Sequence, residues 1–306
     1  MSGRKFIAVL VLFVAMSLPQ LAASQELDPR AYSASPVGTT FALLGYSNTS
    51  GDIVFDASSA ITDVHADVDA ATFSAGHAFN LAGRQATIAF GVPYAWGDIS
   101  GSVGEQQRSI TRSGLGDPRL RFGVLLYGGQ AMDAKTFVST ARNPILGMSL
   151  VVVAPLGQYM PDKLINIGTN RWAFKPELGF SYPLAHWQFD AYAGVWLFAD
   201  NTDFYGGHRK SQDPVASFQA HVSYTIRPGL WAAIDATQYS GGITQLDGVD
   251  NSSRQDNLRL GITLSTPVPG VRGLSAKLTY SDGAVVRIGS DFTSIGLAFQ
   301  YAWLAQ

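Results

Sequence analysis

Polar and apolar residues alternate with a two-residue period along most of this chain. In the last such segment Ile295, Leu297, Phe299, Tyr301 and Trp303 fall on one face, and Ser294, Gly296, Ala298, Gln300 and Ala302 on the other. That period belongs to a β-strand, whose successive side chains point to opposite sides. Twelve segments of this kind, each bounded by turn residues, are read at 37–47, 66–79, 85–97, 116–127, 145–156, 170–183, 186–199, 214–226, 229–240, 255–266, 272–281 and 291–303. Most reach ten residues; a tilted membrane-crossing strand needs about 9–11, whereas soluble strands average about 5–6. A soluble sheet would hide its apolar side under a second layer. Recurrence of that side in every segment points instead to lipid, and an even strand number suits closure of a bacterial barrel. The pattern predicts an all-β fold: a transmembrane antiparallel up-and-down β-barrel of about 12 strands over residues 37–306.

The connections carry independent information. Those after odd-numbered segments are long: Asn48 to His65, Asp98 to Leu115, Gly157 to Thr169, Asp200 to Asp213, Gly241 to Arg254 and Asp282 to Ser290. Tight ones follow the second, sixth, eighth and tenth segments, at Asn80-Leu81-Ala82-Gly83-Arg84, Ala185, Arg227-Pro228 and Pro267 to Val271. Outer-membrane barrels have short periplasmic turns and longer external loops, so both termini are placed in the periplasm. Gly128 to Pro144 breaks the rule. There Asp133 is a candidate N-cap, followed by Ala134, Phe137, Val138 and Ala141 at helical spacing, which predicts a short helix at the periplasmic mouth. In the second segment Asp67, Asp69, Phe73 and His77 share one phase, mixing charge with aromatics, and a slip or bulge is expected there.

Arg4 and Lys5 precede an apolar run from Phe6 to Leu18, and Ala22-Ala23-Ser24 follows. This is the layout of a secretory signal peptide, residues 1–24, with cleavage after Ser24. Residues 25–36 are expected as a periplasmic N-terminal segment. The run is too short to span a bilayer as a helix, for which about 20 apolar residues are needed. With no cysteine the chain has neither a disulfide framework nor a lipid-bearing cysteine. A net charge of −2 shows no basic excess and speaks against nucleic acid.

Trp and Tyr gather where a barrel wall meets the membrane interfaces. Tyr94, Trp96 and Trp172 are assigned to the outer interface, and Tyr182, Trp187, Tyr224, Tyr301 and Trp303 to the inner one. Trp196 lies on the lumen phase and Trp231 off phase. The phase opposite the apolar one supplies lumen charges: Arg119, Arg121, Arg171, Lys175, Glu177, Asp190, Asp235, Arg259 and Lys277. Such groups are costly in lipid and tolerable in a wet or paired interior. Arg119, Arg121, Arg171 and Arg259 are read as an outer arginine vestibule, the other five as a mixed-charge constriction below. They act either as a selectivity field or as mutually paired side chains that plug the barrel.

His221 shares the lumen phase with Ser217, Gln219 and Ser223, but a lipid-active serine enzyme needs its nucleophile at the lipid boundary, so no catalytic group is assigned. His65, His77, His186 and His208 are scattered without metal-ligand spacing; neither metal nor cofactor is expected. Gly114-Leu115-Gly116 leads into a strand and not into the helix that a phosphate loop requires.

Several stretches resemble the MetA-pathway of phenol degradation family of outer-membrane proteins. They are Pro36-Val37-Gly38-Thr39 leading to Gly45-Tyr46, Gly114-Leu115-Gly116-Asp117-Pro118, Pro155-Leu156-Gly157-Gln158-Tyr159, Asn166 to Glu177, and Trp231 to Asp235 with Gly241-Gly242. The resemblance implies a barrel associated with uptake of aromatic compounds, and it carries over no catalytic residue. The expected activity is therefore passive passage of small solutes, aromatic or anionic, with a closed structural or surface-binding barrel as the alternative. The expected partners are outer-membrane lipid, the solute, and the barrel-insertion machinery acting on the C-terminal strand. That strand ends in Leu304-Ala305-Gln306, not in a terminal aromatic.

Overall fold

The computed structural model describes residues 27–54, 61–103 and 106–304. The expected signal peptide lies outside the described residues. In chain order the elements are β1 (Thr39–Val54), β2 (Ile61–Leu81), β3 (Arg84–Val103), β4 (Gln106–Leu115), β5 (Arg119–Tyr127), α1 (Ala134–Ser139), β6 (Ile145–Val153), β7 (Ala173–Leu184), β8 (Trp187–Phe198), β9 (Asn201–Phe204) and β10 (His208–Gln212). There follow β11 (Val215–Arg227), β12 (Leu230–Gly241), β13 (Thr244–Leu246), β14 (Val249–Asp250), β15 (Gln255–Pro267), β16 (Leu274–Val285) and β17 (Gly289–Leu304).

Twelve of the strands form the wall, each antiparallel to its neighbours, in the order β1, β2, β3, β5, β6, β7, β8, β11, β12, β15, β16, β17. The ring closes where β17 pairs with β1, from Thr39 opposite Leu304 to Val54 opposite Gly289. Closure leaves no unpaired edge, which lipid would not tolerate. One end of the barrel carries the tight connections, α1, the start of β1 and the end of β17; the other carries the remaining long connections. They are called the turn end and the loop end below.

The sequence alternation appears as an inverted burial pattern. On β7, Lys175 is 2% and Glu177 8% exposed, while their apolar neighbour Leu178 is 55% exposed. A water-soluble fold reverses this arrangement, because an unpaired charge is costly in the core and an apolar face is costly in water. Here the apolar face belongs to the lipid and the polar face to the lumen. Between β2 and β3 the chain turns through Ala82 and Gly83, both with positive φ, at 49° and 82°. This is the two-residue turn whose twist matches a hairpin.

The long connections differ from the sequence reading. Strand pairing continues beyond the apolar stretch: β1 runs on to Val54, β2 begins at Ile61, β3 and β4 form a hairpin within Asp98 to Leu115, and β16 reaches Val285. Asp200 to Asp213 holds β9 and β10; Gly241 to Arg254 holds β13 and β14; these four make a separate sheet at the loop end. Strand ends were read where the apolar face stopped, yet backbone ladders do not need an apolar face once the wall has left lipid. The stretch from Gly157 to Thr169 has no strand, as expected.

In β2 the pairing with β1 is continuous from Asp52–His65 to Thr40–His77, and the irregularity lies at Thr62/His65 against β3. Asp67, Asp69 and Phe73 do share the outward face; the acids sit toward the loop end, where Asp69 accepts from the Tyr46 hydroxyl at 2.5 Å and Asn48 at 3.1 Å. Helix α1 follows its predicted cap, with Asp133 Oδ1 accepting from Thr136 N at 2.8 Å.

Candidate functional site

The lumen contains a segment of the chain itself. Residues 27–35, expected below the barrel or, for a plugged one, inside it, rise into the lumen from the turn end. Ser35 N donates to Gln85 Oε1 at 2.8 Å near that end. Tyr32 is only 2% exposed, its hydroxyl 2.9 Å from Ser149 Oγ and 3.0 Å from Glu177 Oε1. Its ring lies on Gly147 and Gly179, where an added Cβ would come within 2.4 and 2.1 Å of ring carbons. Only glycine leaves room for the ring against the wall. The Tyr192 ring meets it edge-on at 5.1 Å, and the Arg121 guanidinium lies 5.1 Å from its centroid.

Arg30 and Asp28 extend this anchorage. Arg30 donates through N to Asp190 Oδ2 at 3.2 Å, through Nε to Ser223 Oγ at 2.8 Å and through Nη2 to Thr225 Oγ1 at 2.8 Å, and it stacks on Trp231 at 4.5 Å. This contact accounts for a tryptophan off the lipid phase. Asp28 lies 3.7 Å from Arg121 and 3.5 Å from Lys277. Leu27 reaches Gly261, halfway up the wall.

The charges named from sequence point inward, but they form several groups. Lys175 pairs with Glu177 at 2.6 Å, and Arg121 stands 3.8 Å from the same carboxylate. Asp190 is tied to Arg30 and Ser181. Asp235 accepts from Thr263 Oγ1 and pairs with His221 Nδ1, each at 2.7 Å. His221 Nε2 has no hydrogen-bond partner, so no serine is engaged as a nucleophile would be. The four arginines do not meet in one vestibule. Arg119 and Arg121 face the middle of the lumen. Arg259 is held by Ser281 Oγ at 3.0 Å and the Phe292 carbonyl at 2.7 Å. Arg171 bonds Gln212 and lies 4.4 Å over the Phe198 ring, toward the loop end. A shared phase did not reveal these separate heights and partners.

At the loop end, residues 157–169 fold across the mouth. Asp117, which follows β4, holds both ends of this lid: Oδ1 accepts from Gly157 N at 2.8 Å, and Oδ2 from Thr169 N at 2.8 Å and Thr169 Oγ1 at 2.6 Å. Ile165 packs on an apolar group of Ile53, Val64, Ile99 and Phe292, and Leu164 on Phe204 and Leu246. Lys210 is buried beside Arg171 and Phe204, and burial with the neighbouring positive charge pushes its ammonium down to about 7. Asp117, Lys210 and the segment around Tyr32 were not picked out as site residues. The Gly-Leu-Gly-Asp-Pro block and the lumen-phase glycines Gly147 and Gly179 were their traces.

Among the described residues, a series of hollows lies along the lumen. A turn-end cavity of about 770 Å³ extends beneath α1. A central chamber of about 580 Å³ shares Asp28, Ala31 and Arg121 with it as a partition. A loop-end pocket of about 70 Å³ under the lid shares Ile167 with the central chamber. Outside, Tyr94, Trp172, Tyr182, Trp187, Tyr224, Tyr301 and Trp303 are exposed on the outward face, and Trp96 is half-buried. Trp187 packs edge-on against Tyr224 at 4.8 Å, and Tyr301 stacks on Trp303 at 5.6 Å. Trp196 points inward, buried, 5.7 Å from the Lys175 ammonium.

Among solved structures the COG4313 outer membrane channel from Pseudomonas putida F1 is similar, with a TM-score of 0.75 and 23% identity over 91% of this chain and 100% of that one. At that identity the likeness speaks for the fold. The P. putida toluene transporter TodX has a TM-score of 0.48 and 11% identity over 95% of this chain and 96% of that one. The β domain of the Bordetella autotransporter Brka also has a TM-score of 0.48, with 14% identity over 87% and 99%. No curated protein matches the chain. A family model matches residues 47–297, most of the barrel wall, and the chain is thus an outer-membrane β-barrel that belongs to the family described as "Putative MetA-pathway of phenol degradation".

Proposed function

We propose that this barrel is a passive channel for small solutes, aromatic or anionic compounds among them, with the loop end outside the cell and the turn end and both termini in the periplasm. The observation that carries this reading is the series of hollows along the lumen among the described residues. A barrel built only as a wall would fill its interior with side chains, as eight-stranded barrels do. Here the hollows are separated by two elements outside the wall, the N-terminal segment and the lid, each held by noncovalent contacts. The outward aromatics contact outer-membrane lipid, and the C-terminal strand is the feature offered to the insertion machinery.

A second reading is a closed structural or surface-binding barrel, and the depth at which Tyr32 is seated favours it. Solute flux into liposomes carrying the refolded protein separates the two. A small sugar, a small anion and a phenol-sized aromatic are compared with protein-free liposomes. Protein-dependent flux of any of them supports the channel; absence of flux for all three sinks it.

A further inference from the structure

We infer that the turn-end cavity is a binding site for a small organic carboxylate with an apolar ring body, its charge seated between Arg30 and Arg142; this rests on the passage proposed above. The cavity lies between the N-terminal segment, which supplies Arg30, and the connection from Gly128 to Pro144, which carries α1 and supplies Arg142. Helix α1 buries none of its residues, so it roofs the space without filling it. At about 770 Å³ the cavity falls within the range of roughly 300–1,000 Å³ usual for small-molecule sites. Leu125, Met132, Phe137 and Ile145 give it an apolar side, and Trp231, stacked on Arg30 at 4.5 Å, adds an aromatic one.

The electrostatics select the charge of the guest. Among the described residues lining the cavity, Arg30, Arg121, Arg142 and Lys277 stand against a single carboxylate, that of Asp28. Arg121 and Lys277 share it at 3.7 and 3.5 Å, and Arg121 also has Glu177 at 3.8 Å. Arg30 is held in another way. Its side-chain bonds go to the hydroxyls of Ser223 and Thr225, each at 2.8 Å, which bring no negative charge. Asp190 accepts from the Arg30 backbone N–H and not from its guanidinium, and it accepts further from Ser181 and Gln188. At Arg30 the repulsion from Arg142 outweighs the attraction of Asp190. Arg142 is exposed, and among the described residues it has neither an ion pair nor a hydrogen bond. A guanidinium has five N–H donors, so both arginines keep some for a guest. A carboxylate between them gains charge-assisted hydrogen bonds and relieves their repulsion. A cation is repelled there.

The test is calorimetric titration of the refolded protein in detergent, against a blank of detergent alone, with benzoate, benzyl alcohol and acetate. Benzoate is expected to bind about tenfold or more tightly than benzyl alcohol, which lacks the charge, and than acetate, which lacks the ring. Arg142→Gln should weaken benzoate about tenfold and remove most of its advantage over benzyl alcohol. Phe137→Ala should weaken both ring compounds alike and keep that advantage. Both positions lie outside the wall, so neither variant removes a wall ladder. Equal binding of benzoate and either companion probe, or an unchanged benzoate affinity in Arg142→Gln, overturns the inference. Protein-dependent flux into liposomes without benzoate binding would leave the channel and remove this site; benzoate binding without any flux would leave the site and remove the channel.

Discussion

Replacing Tyr32 by Ala should release the N-terminal segment from the lumen without unfolding the barrel. The ring is 2% exposed, seated on Gly147 and Gly179 and hydrogen-bonded to Ser149 and Glu177. Truncating a buried aromatic to Ala costs about 3–5 kcal/mol. Tyr32 lies next to the turn-end cavity, so water can reach the exposed partners and the lower figure applies. Roughly 3 kcal/mol corresponds to a shift of about a hundredfold toward the released state. No wall ladder depends on residue 32, so that cost falls on the segment alone. Conductance in planar bilayers measures the effect: the variant should show larger or more frequent openings than the parent, with the same urea midpoint for the barrel in lipid vesicles. Unchanged conductance would refute the claim that this segment closes the lumen. A lowered urea midpoint with unchanged openings would make Tyr32 a structural strut.

Gly179→Val should reproduce the same conductance change from the wall side, because its added Cβ would fall 2.1 Å from the Tyr32 ring; a parental record in this variant would show the ring seat to be dispensable. Asp117→Ala removes three hydrogen bonds from the lid, each worth about 1.5–3 kcal/mol to a charged acceptor before compensation by water. Amide exchange across residues 157–169 should accelerate while the wall strands stay protected, and unchanged exchange would count against the bracket. Lys210, pushed down to about 7 by burial and the Arg171 charge, loses its proton in the folded state before it does in the unfolded chain. The unfolded state then holds more protons between about pH 7 and the ordinary lysine range, so stability should rise with pH through that window. The urea midpoint of the parent should gain more from about pH 6 to about pH 9 than that of Lys210→Met. An identical gain in both would exclude Lys210 as the source.

The wall was legible because each crossing strand must satisfy two solvents at once. Phe174, Leu178 and Phe180 alternating with Lys175, Glu177 and Ser181 leaves one assignment of faces, and neither propensity nor loop context competes with it. The loop-end ladders were not legible, since Asp67 or Thr111 on an outward face in water obeys no apolar period. The lumen charges could be named but not grouped. Their phase says that they face inward, whereas Arg171 and Arg259 are separated by strand height and by partners such as Gln212 and Ser281. Hardest of all was the segment from Leu27 to Ser35. It has no period, and its position depends on Gly147 and Gly179 in strands far from it in sequence.

The two elements that divide the lumen differ in chemistry, and this bears on how a solute would pass. At the turn end the closure is an aromatic ring seated on glycines and surrounded by charge pairs, so its release exposes groups that water can solvate. At the loop end the closure adds to its Asp117 clasp an apolar contact, with Ile165 and Leu164 packed on Ile53, Phe292, Phe204 and Leu246. Opening it exposes hydrocarbon unless the arriving solute covers that surface. A solute with an apolar body lowers the cost of parting the lid, whereas a sugar or a small hydrated ion does not. Once inside, the same solute meets Arg121 and the partition formed by Asp28 and Ala31, where a charged or hydrogen-bonding end can compete for partners the segment now holds. On the passage proposed above, two closures in series with different preferences would favour a molecule that is apolar at one end and polar at the other, because neither a wholly apolar nor a wholly polar solute would lower both barriers.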